Sequence, residues 1–471
     1  MDEFDVVVVG AGPTGENLAE RAHAGGLSVA VVESELVGGE CSYWACIPSK
    51  ALLRPAAALA DARRVAGARE AVTGTLDAEA VLKRRDEFTS HWKDDGQVGW
   101  LEGAGLVLVR GHGRLDGPRR VAVDTPDGGR RVLTARHAVA VCTGTRTALP
   151  GLPGLAEARP WTSREATSSE RVPRRLAVIG GGVVACEMAT AWRALGSEVV
   201  QLVRGSRLLP RMEPFAGDTV AENLRAAGVD VRFDTSATEV RREGAVTLTL
   251  DGGGTVTVDE VLCATGRAPA TADLGLETVG LAPGRSIEID STGLAAGVPG
   301  EWLYAAGDVN GRALLTHQGK YQGRIFGTVI ADRAAGRPLD TADWGRSVAT
   351  ADERAVPQVV FTDPEVAAVG LSLEDATRAG RRVRAVDYEI GNVAGASLHA
   401  DGYQGRARAV VDLDREILLG ATFVGSGVAE LLHSATIAVT GEVPISRLWH
   451  AVPSYPTISE VWLRLLETYR G

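Results

Sequence analysis

Short β-branched apolar runs alternate along the chain with longer stretches in which apolar positions recur every three to four residues. Phe4 to Gly10, Phe-Asp-Val-Val-Val-Val-Gly, is too short for a helix and rich in β-branched residues, so it predicts a buried parallel strand. A glycine turn follows, then a helix whose apolar stripe runs through Ala19, Ala22 and Ala24, then a second strand from Ser28 to Val32. The same order returns at Arg175 to Gly180: strand, glycine turn, a helix through Glu187 and Trp192, and a strand from Glu198 to Val203. These two β-α-β units, about 170 residues apart, are the main internal repeat. Between them the pattern predicts a charged helical stretch, Ala78 to Glu102, and a set of strands ending at Ala138 to Cys142. From about Ser347 the strands lengthen and alternate, as in Arg406 to Asp412, and two helices follow, so this part reads as α+β.

Composition narrows the function classes. With 45% hydrophobic and 23% charged residues the chain is an ordinary globular one, and 471 residues correspond to roughly three domains. No apolar run reaches the ~18 residues that span a bilayer, and the opening Met1-Asp-Glu-Phe has no basic region of the signal-peptide kind. A net charge of −10 argues against a broad phosphate-binding surface, so neither nucleic acid nor a membrane is an expected partner. Five cysteines, an odd number, make no disulfide framework, and without a secretion signal the expected compartment is the cytoplasm, where a cysteine pair is catalytic rather than structural. Only four lysines, Lys50, Lys83, Lys93 and Lys320, stand against 46 arginines.

The first glycine turn, Gly10-Ala-Gly12-Pro-Thr-Gly15, follows a strand and opens a helix. Gly10 permits the tight turn, Gly12 lets the backbone approach a pyrophosphate, and Gly15 lets the helix sit close to the sheet. The helix N-terminus offers unpaired N–H groups to the phosphates, and Glu33, at the end of the second strand, is placed to accept from a ribose. The second turn is Gly180-Gly-Gly182-Val-Val-Ala185. After its second strand comes Arg204-Gly-Ser-Arg207, where an acid for the 2′-hydroxyl of NAD would stand. Arg204 and Arg207 either grip a 2′-phosphate, which favours NADP(H) over NAD(H), or face solvent.

Gly38-Gly39-Glu40-Cys41-Ser-Tyr-Trp44-Ala-Cys46-Ile-Pro48-Ser-Lys50 is the most informative stretch. Two cysteines five apart, ahead of a helix, either close a small disulfide ring or stay as two unbonded buried thiols. A helix N-terminus and Lys50 are expected to lower a thiol pKa and favour the thiolate that exchanges electrons. No second cysteine or histidine pair lies nearby at ligand spacing, so no metal site is predicted. Cys142, Cys186 and Cys263 fall where small apolar residues pack and read as core.

With these motifs in place, the chain resembles the FAD-dependent pyridine nucleotide–disulfide oxidoreductases, the family of dihydrolipoamide dehydrogenase, glutathione reductase and mercuric reductase, from about Phe4 to Glu460. Thr143-Gly144, Ala264-Thr265-Gly266-Arg267, Leu303-Tyr-Ala-Ala-Gly307-Asp308-Val309 and His317-Gln-Gly-Lys-Tyr-Gln-Gly323 carry the resemblance further. It implies that Asp308 accepts from the flavin ribityl chain and that the His317 helix lies beside the flavin ring. It also implies that Cys46 is the charge-transfer thiol and Cys41 the interchange thiol. Lys50 then stands beside flavin N5, with Glu187, otherwise an ordinary helix carboxylate, as its partner. Gly39, Thr143, Gly144 and Gly266 join Gly10, Gly12, Gly15, Gly180, Gly182 and Gly307 as cofactor contacts.

The pattern breaks near the C-terminus. Disulfide-reducing members carry His-Pro-Thr followed by a glutamate; here the stretch is Ser454-Tyr455-Pro456-Thr457-Ile458-Ser459-Glu460. A phenol is a poor base at neutral pH but can donate a proton, with Glu460 holding the Tyr455 hydroxyl or a water. His450, five residues upstream, either substitutes or is a plain surface or core histidine. The tyrosine resembles mercuric reductases and the soluble transhydrogenase, and Trp44 also resembles the transhydrogenase, although that enzyme has no cysteine at the position of Cys46. The terminal Leu-Glu-Thr-Tyr-Arg-Gly471 carries no cysteine pair, unlike mercuric reductases and high-molecular-weight thioredoxin reductases.

The expected fold is α/β: a split FAD-binding Rossmann-like domain (1–152 and 276–346), an NAD(P)-binding Rossmann-like domain (153–275) and a C-terminal α+β dimerisation domain (347–471). By resemblance, electrons pass from NADPH through FAD to a Cys41–Cys46 disulfide and on to a small disulfide or thiol-type acceptor. A homodimer would complete each active site with the partner's Tyr455 segment. Two alternatives remain in view: a quinone reductase or transhydrogenase using the flavin directly, and a flavin-bound redox sensor.

Overall fold

The computed structural model describes residues 2–471, which form two compact units. The first comprises residues 2–47, Asp86–Ala148 and Arg267–Glu353; the second comprises Pro48–Arg85, Leu149–Gly266 and Arg354–Gly471.

The first unit is built on a seven-stranded sheet. Asp2–Val9, Val29–Glu33, Val107–Arg110, the long strand Arg130–Val141 and Leu303–Ala305 pair in parallel. Arg120–Asp124 and His112–Leu115 extend the sheet antiparallel. The Val-Val-Val-Val run is fully buried because both faces are covered: Val6 and Val8 pack with Leu18, Ala22 and Phe326, while Val7 and Val9 pack with Leu133, Leu303 and Val309. Helix Pro13–Ala24 crosses to the second strand as the glycine turn predicts. It packs on helix Thr316–Ala334 through Gly319, Gly323 and Gly327, three glycines at helical spacing. A Cβ at Gly323 would stand 2.7 Å from the Thr14 carbonyl oxygen, and one at Gly327 2.5 Å from that of Leu18, so the backbones touch.

The charged stretch after residue 78 is not one helix. It divides into Ala78–Phe88 and Asp95–Gly103, separated by Ser90-His91-Trp92, three consecutive residues with φ of 50°, 52° and 54°. Left-handed backbone in three non-glycine residues is costly and needs an anchor. The Trp92 indole supplies one by donating to the Tyr43 carbonyl at 3.1 Å.

In the second unit, Arg175–Ile179, Glu198–Leu202, Asp230–Arg232 and Glu260–Cys263 form a parallel sheet, with an antiparallel sheet of three strands from residues 237 to 258. The helix Val183–Ala194 buries Trp192 completely. The C-terminal part is a five-stranded antiparallel sheet, Pro357–Val360, Glu365–Gly370, Ile417–Gly425, Arg406–Asp412 and Val383–Glu389 in spatial order. Helices Leu432–Thr440 and Val461–Arg470 follow, with a short turn of helix, Ile445–Leu448, between them. Among the described residues no helix is long and apolar enough to cross a membrane, and no cluster of His, Cys, Asp and Glu has metal-site geometry.

Candidate active site

In the first unit, the strand Asp2–Val9 ends at Gly10, whose φ of +105° is open to glycine, and a Cβ there would lie 2.4 Å from the Cys142 carbonyl oxygen. Gly15 is tighter still: its Cβ would meet the Gly10 carbonyl oxygen at 1.9 Å, so no side chain fits between helix and sheet. Gly12 is the opposite case, with nothing within 4 Å of an added Cβ, and as N-cap it leaves the first N–H groups of helix Pro13–Ala24 without a side-chain cap. Glu33 is buried at the end of its strand, where Oε2 accepts from Ala11 N–H at 2.7 Å and Oε1 from Glu35 N–H at 2.8 Å. Burial pushes its carboxyl up, against those two backbone donors. Thr143 places a buried Oγ1 without a hydrogen-bond partner beside Gly144, whose φ is +68°.

Gly307 and Asp308 follow the strand Leu303–Ala305. Asp308 Oδ2 accepts from Thr145 Oγ1 at 2.9 Å, and Arg267 binds the same threonine through Oγ1 at 2.6 Å and the carbonyl at 2.7 Å. Arg267 also reaches Glu40 at 3.5 Å, so it ties Asp308 to the cysteine segment, and Gly266 before it has a φ of +138°. Burial raises the Asp308 carboxyl. An uncapped helix start, an acid fixed at a strand end and an orphaned buried hydroxyl suit a dinucleotide that brings phosphates and hydroxyls of its own. The residues present fit FAD.

Cys41 lies in the short helix Gly39–Tyr43, and Cys46 opens the helix Cys46–Arg63. Both are free thiols, half-buried. The Thr316 hydroxyl, at the start of helix Thr316–Ala334, stands 3.2 Å from Cys46 Sγ. The Cys41 thiol is pushed up rather than down, first by its hydrogen bond to Cys46 and then by burial, while the Thr316 hydroxyl and the Lys320 charge pull the other way. The expectation of a lowered thiol pKa therefore does not hold for Cys41. Thr316 was not among the residues the sequence singled out; the adjacent His317 was, and it is exposed on the first turn.

In the second unit, Glu187 is 3% exposed on helix Val183–Ala194. Its Oε2 accepts from Lys50 Nζ at 2.8 Å and its Oε1 from Phe361 N–H at 3.0 Å, and the Lys50 ammonium lies 5.0 Å from the Phe361 ring centroid. A buried carboxylate with both oxygens engaged is a fixed counter-ion. Lys50 lies four residues after Cys46, one turn along the same helix. Gly180 has a φ of +139° and no room for a Cβ beside Ala264, whereas Gly182 caps its helix with nothing within 4 Å. Arg204 is exposed and forms no ion pair among the described residues; Arg207 reaches the Pro210 carbonyl at 3.4 Å and Glu374 at 3.9 Å.

Tyr455 is 77% exposed, and Glu460 does not hold its hydroxyl. Instead, Glu460 Oε1 accepts from Arg464 at 2.7 Å, and its Oε2 is buried without a partner. His450 is exposed, two residues past the short helix Ile445–Leu448. Cys142, Cys186 and Cys263 are buried, and burial pushes the first two up to about 12.

Comparison with known proteins fits this geometry. Residues 4–323 match the family described as pyridine nucleotide-disulphide oxidoreductase, and residues 356–465 match the dimerisation domain of the same family. The chain is 33% identical to a mercuric reductase of Acidithiobacillus ferrooxidans, over 97% of this chain and 81% of that protein. It is also 33% identical to dihydrolipoyl dehydrogenase 3 of Pseudomonas aeruginosa, over 98% and 96% respectively. Among solved structures, the HOCl-induced flavoprotein disulfide reductase RclA of Escherichia coli superposes with a TM-score of 0.82 at 24% identity, over 98% of this chain and 99% of that one. With an uncapped dinucleotide turn, a paired-thiol segment and a full-length match at this identity, the chain belongs to the pyridine nucleotide-disulphide oxidoreductases, flavin-dependent enzymes that bind FAD and a pyridine nucleotide.

Proposed function

We propose that this enzyme takes an electron pair from NADPH and delivers it, by way of FAD and the Cys41–Cys46 pair, to a small disulfide or thiol-linked acceptor. The observation that carries the reading is the asymmetry of the two sulfurs: the Thr316 hydroxyl stands 3.2 Å from Cys46 Sγ, while the Cys41 thiol is pushed up by its bond to Cys46 and by burial. Exchange with a disulfide needs such a division, one sulfur held as thiolate and the other free to attack once deprotonated. Bound FAD supplies the two-electron relay between nicotinamide and thiols.

The remaining steps belong to the chain. With the pair reduced, Cys41 attacks one sulfur of the acceptor disulfide, forms a mixed disulfide and releases one thiol. Cys46 then attacks the Cys41 sulfur, closes the ring and releases the second thiol. The sum is NADPH, a proton and a disulfide in, NADP⁺ and two thiols out. By resemblance Lys50 would stand beside the flavin, where a cation fixed by Glu187 would favour its electron-rich form. The unpaired Arg204 supports NADPH over NADH, since a 2′-phosphate would supply the charge it has no other partner for. We assign the FAD domain to 1–152 and 276–346, the NAD(P) domain to 153–275 and the interface domain to 347–471. The exposed Tyr455, within the stretch matched to a dimerisation domain, supports a homodimer in which it meets a second copy. We place the enzyme in the cytoplasm.

An anaerobic titration of the yellow protein with NADPH, and in parallel NADH, tests the reading. One equivalent of NADPH should produce a long-wavelength thiolate band while the flavin absorbance persists; simple bleaching would refute the thiol relay. Tyr455 in place of a histidine base favours a second reading, in which a quinone or a second nucleotide takes electrons from the flavin directly. That reading requires activity to survive Cys41→Ser.

A further inference from the structure

The carboxylate of Asp352 has no part in the reaction above, yet it is buried at the centre of a polar chain. It stands on the short helix Ala351–Arg354 and accepts from two amides on the helix Thr316–Ala334: Gln318 Nε2 at 3.0 Å and Gln322 Nε2 at 2.8 Å. All three side chains are buried. At its other end, Gln322 Oε1 accepts from Gly307 N–H at 2.7 Å and from Asn310 Nδ2 at 2.8 Å. Asp308 lies between those two residues.

A glutamine amide has one donor end and one acceptor end, and its neighbours decide which way it points. Gly307 N–H and Asn310 Nδ2 can only donate. An ionised carboxylate can only accept, so it draws the NH₂ ends of both glutamines and leaves the Gln322 oxygen facing Gly307. A protonated Asp352 carries an O–H that itself donates, so one of the two oxygens that accept from the glutamines is lost and its hold on Gln322 weakens.

We propose that Asp352 is a positioning residue for the flavin site: when ionised it orients Gln322, which pins the Gly307–Asn310 segment and thereby sets Asp308 against the flavin ribityl chain. The inference rests on the reading of Asp308 as a flavin contact. The groups facing Asp352 are Arg312, whose charge favours ionisation, Glu353, whose charge opposes it, the two glutamine amides, and the Tyr321 hydroxyl, which accepts from Ala351 N–H at 3.3 Å. Burial outweighs the favourable partners and pushes the carboxyl up to about 6. The hold of Asp352 on Gln322 is therefore firm at pH 8 and weakens toward pH 5.

The test is the rate at which purified holoprotein releases flavin, read by absorbance and by recovery of free flavin, from pH 8 to pH 5. Wild type should release flavin about tenfold faster at the acid end, the scale of one or two lost hydrogen bonds. Asp352→Asn should release it at the fast rate throughout, with no pH step. The double variant Asp352→Asn/Gln322→Glu reverses the polarity: the introduced amide donates to the introduced carboxylate, which accepts only and still faces Gly307, so slow release should return at pH 8. A wild-type profile without a step, or a double variant no slower than Asp352→Asn, overturns the proposal. If Asp352→Asn does not fold, as judged by circular dichroism, the wild-type step decides. Asp308→Ala separates the two levels of the argument. Fast flavin loss there with unchanged release from Asp352→Asn sinks this proposal alone, whereas wild-type retention in Asp308→Ala sinks the reading of Asp308 beneath it.

Discussion

Thr316 has a hydroxyl and a methyl of similar size on one carbon, so Thr316→Val removes, with almost no change in volume, the hydroxyl that would donate to Cys46 as a thiolate. A donor to a charged acceptor is worth about 1.5–3 kcal/mol. The thiolate band formed by NADPH should therefore lose most of its intensity at neutral pH, while flavin content and thermal stability stay near wild type; an unchanged band would remove Thr316 from the thiol chemistry. Asp352 offers a prediction of opposite character. Its carboxyl titrates near 6 in the native protein against an ordinary 3.8, so the folded state binds the proton more tightly than the unfolded one. Its contribution to stability is therefore greatest at low pH and falls as pH rises through about 4 to 6, by on the order of 3 kcal/mol. Urea melts at pH 4.5 and pH 7 should show that fall in wild type beyond whatever change Asp352→Asn retains; identical pH dependence of the two proteins would contradict it. Glu187→Ala should cost about 1–3 kcal/mol, because it strands Lys50 and leaves Phe361 N–H without its acceptor.

At the scale of elements, the two β-α-β units were legible because a buried valine run, a glycine turn and an apolar helix stripe are each local signals, and their strands and helices form within a residue or two of expectation. The break at Ser90–Trp92 was not, since no glycine or proline marks it and its anchor is an indole bond to a residue 49 positions away. The glycines of helix Thr316–Ala334 were partly legible: Gly319 and Gly323 fell inside a quoted family segment, but the stripe they form with Gly327 acquires meaning only against Pro13–Ala24. Gly323→Ala pushes a methyl into backbone and should lower stability by about 1–3 kcal/mol. Because this helix also carries Thr316 and Gln322, flavin release should accelerate in parallel, and a variant as stable as wild type would show that the two helices can part without strain. The thiol pair itself was visible in sequence. What Thr316, Gln322 and Asp352 do was not, because each acts through a partner at least twelve residues distant.

For the whole molecule, the matched dimerisation domain and the exposed Tyr455 segment lead to one expectation. Light scattering should give about twice the 49.3 kDa chain mass. If the Tyr455 hydroxyl delivers a proton to the thiol chemistry, as the resemblance implies, Tyr455→Phe should lower turnover with disulfide acceptors several-fold while the NADPH-induced spectrum stays intact; loss of the spectral change would place the residue elsewhere. The arginine-rich composition has a practical sequel. Of the four lysines, Lys83, Lys93 and Lys320 are exposed, and Lys50 alone is held by a buried carboxylate. An amine-acylating reagent thus meets only four side-chain targets, and three of them should label quickly. The delay at the fourth, read by mass spectrometry of the intact chain, is a direct clock for how often the Lys50–Glu187 pair opens.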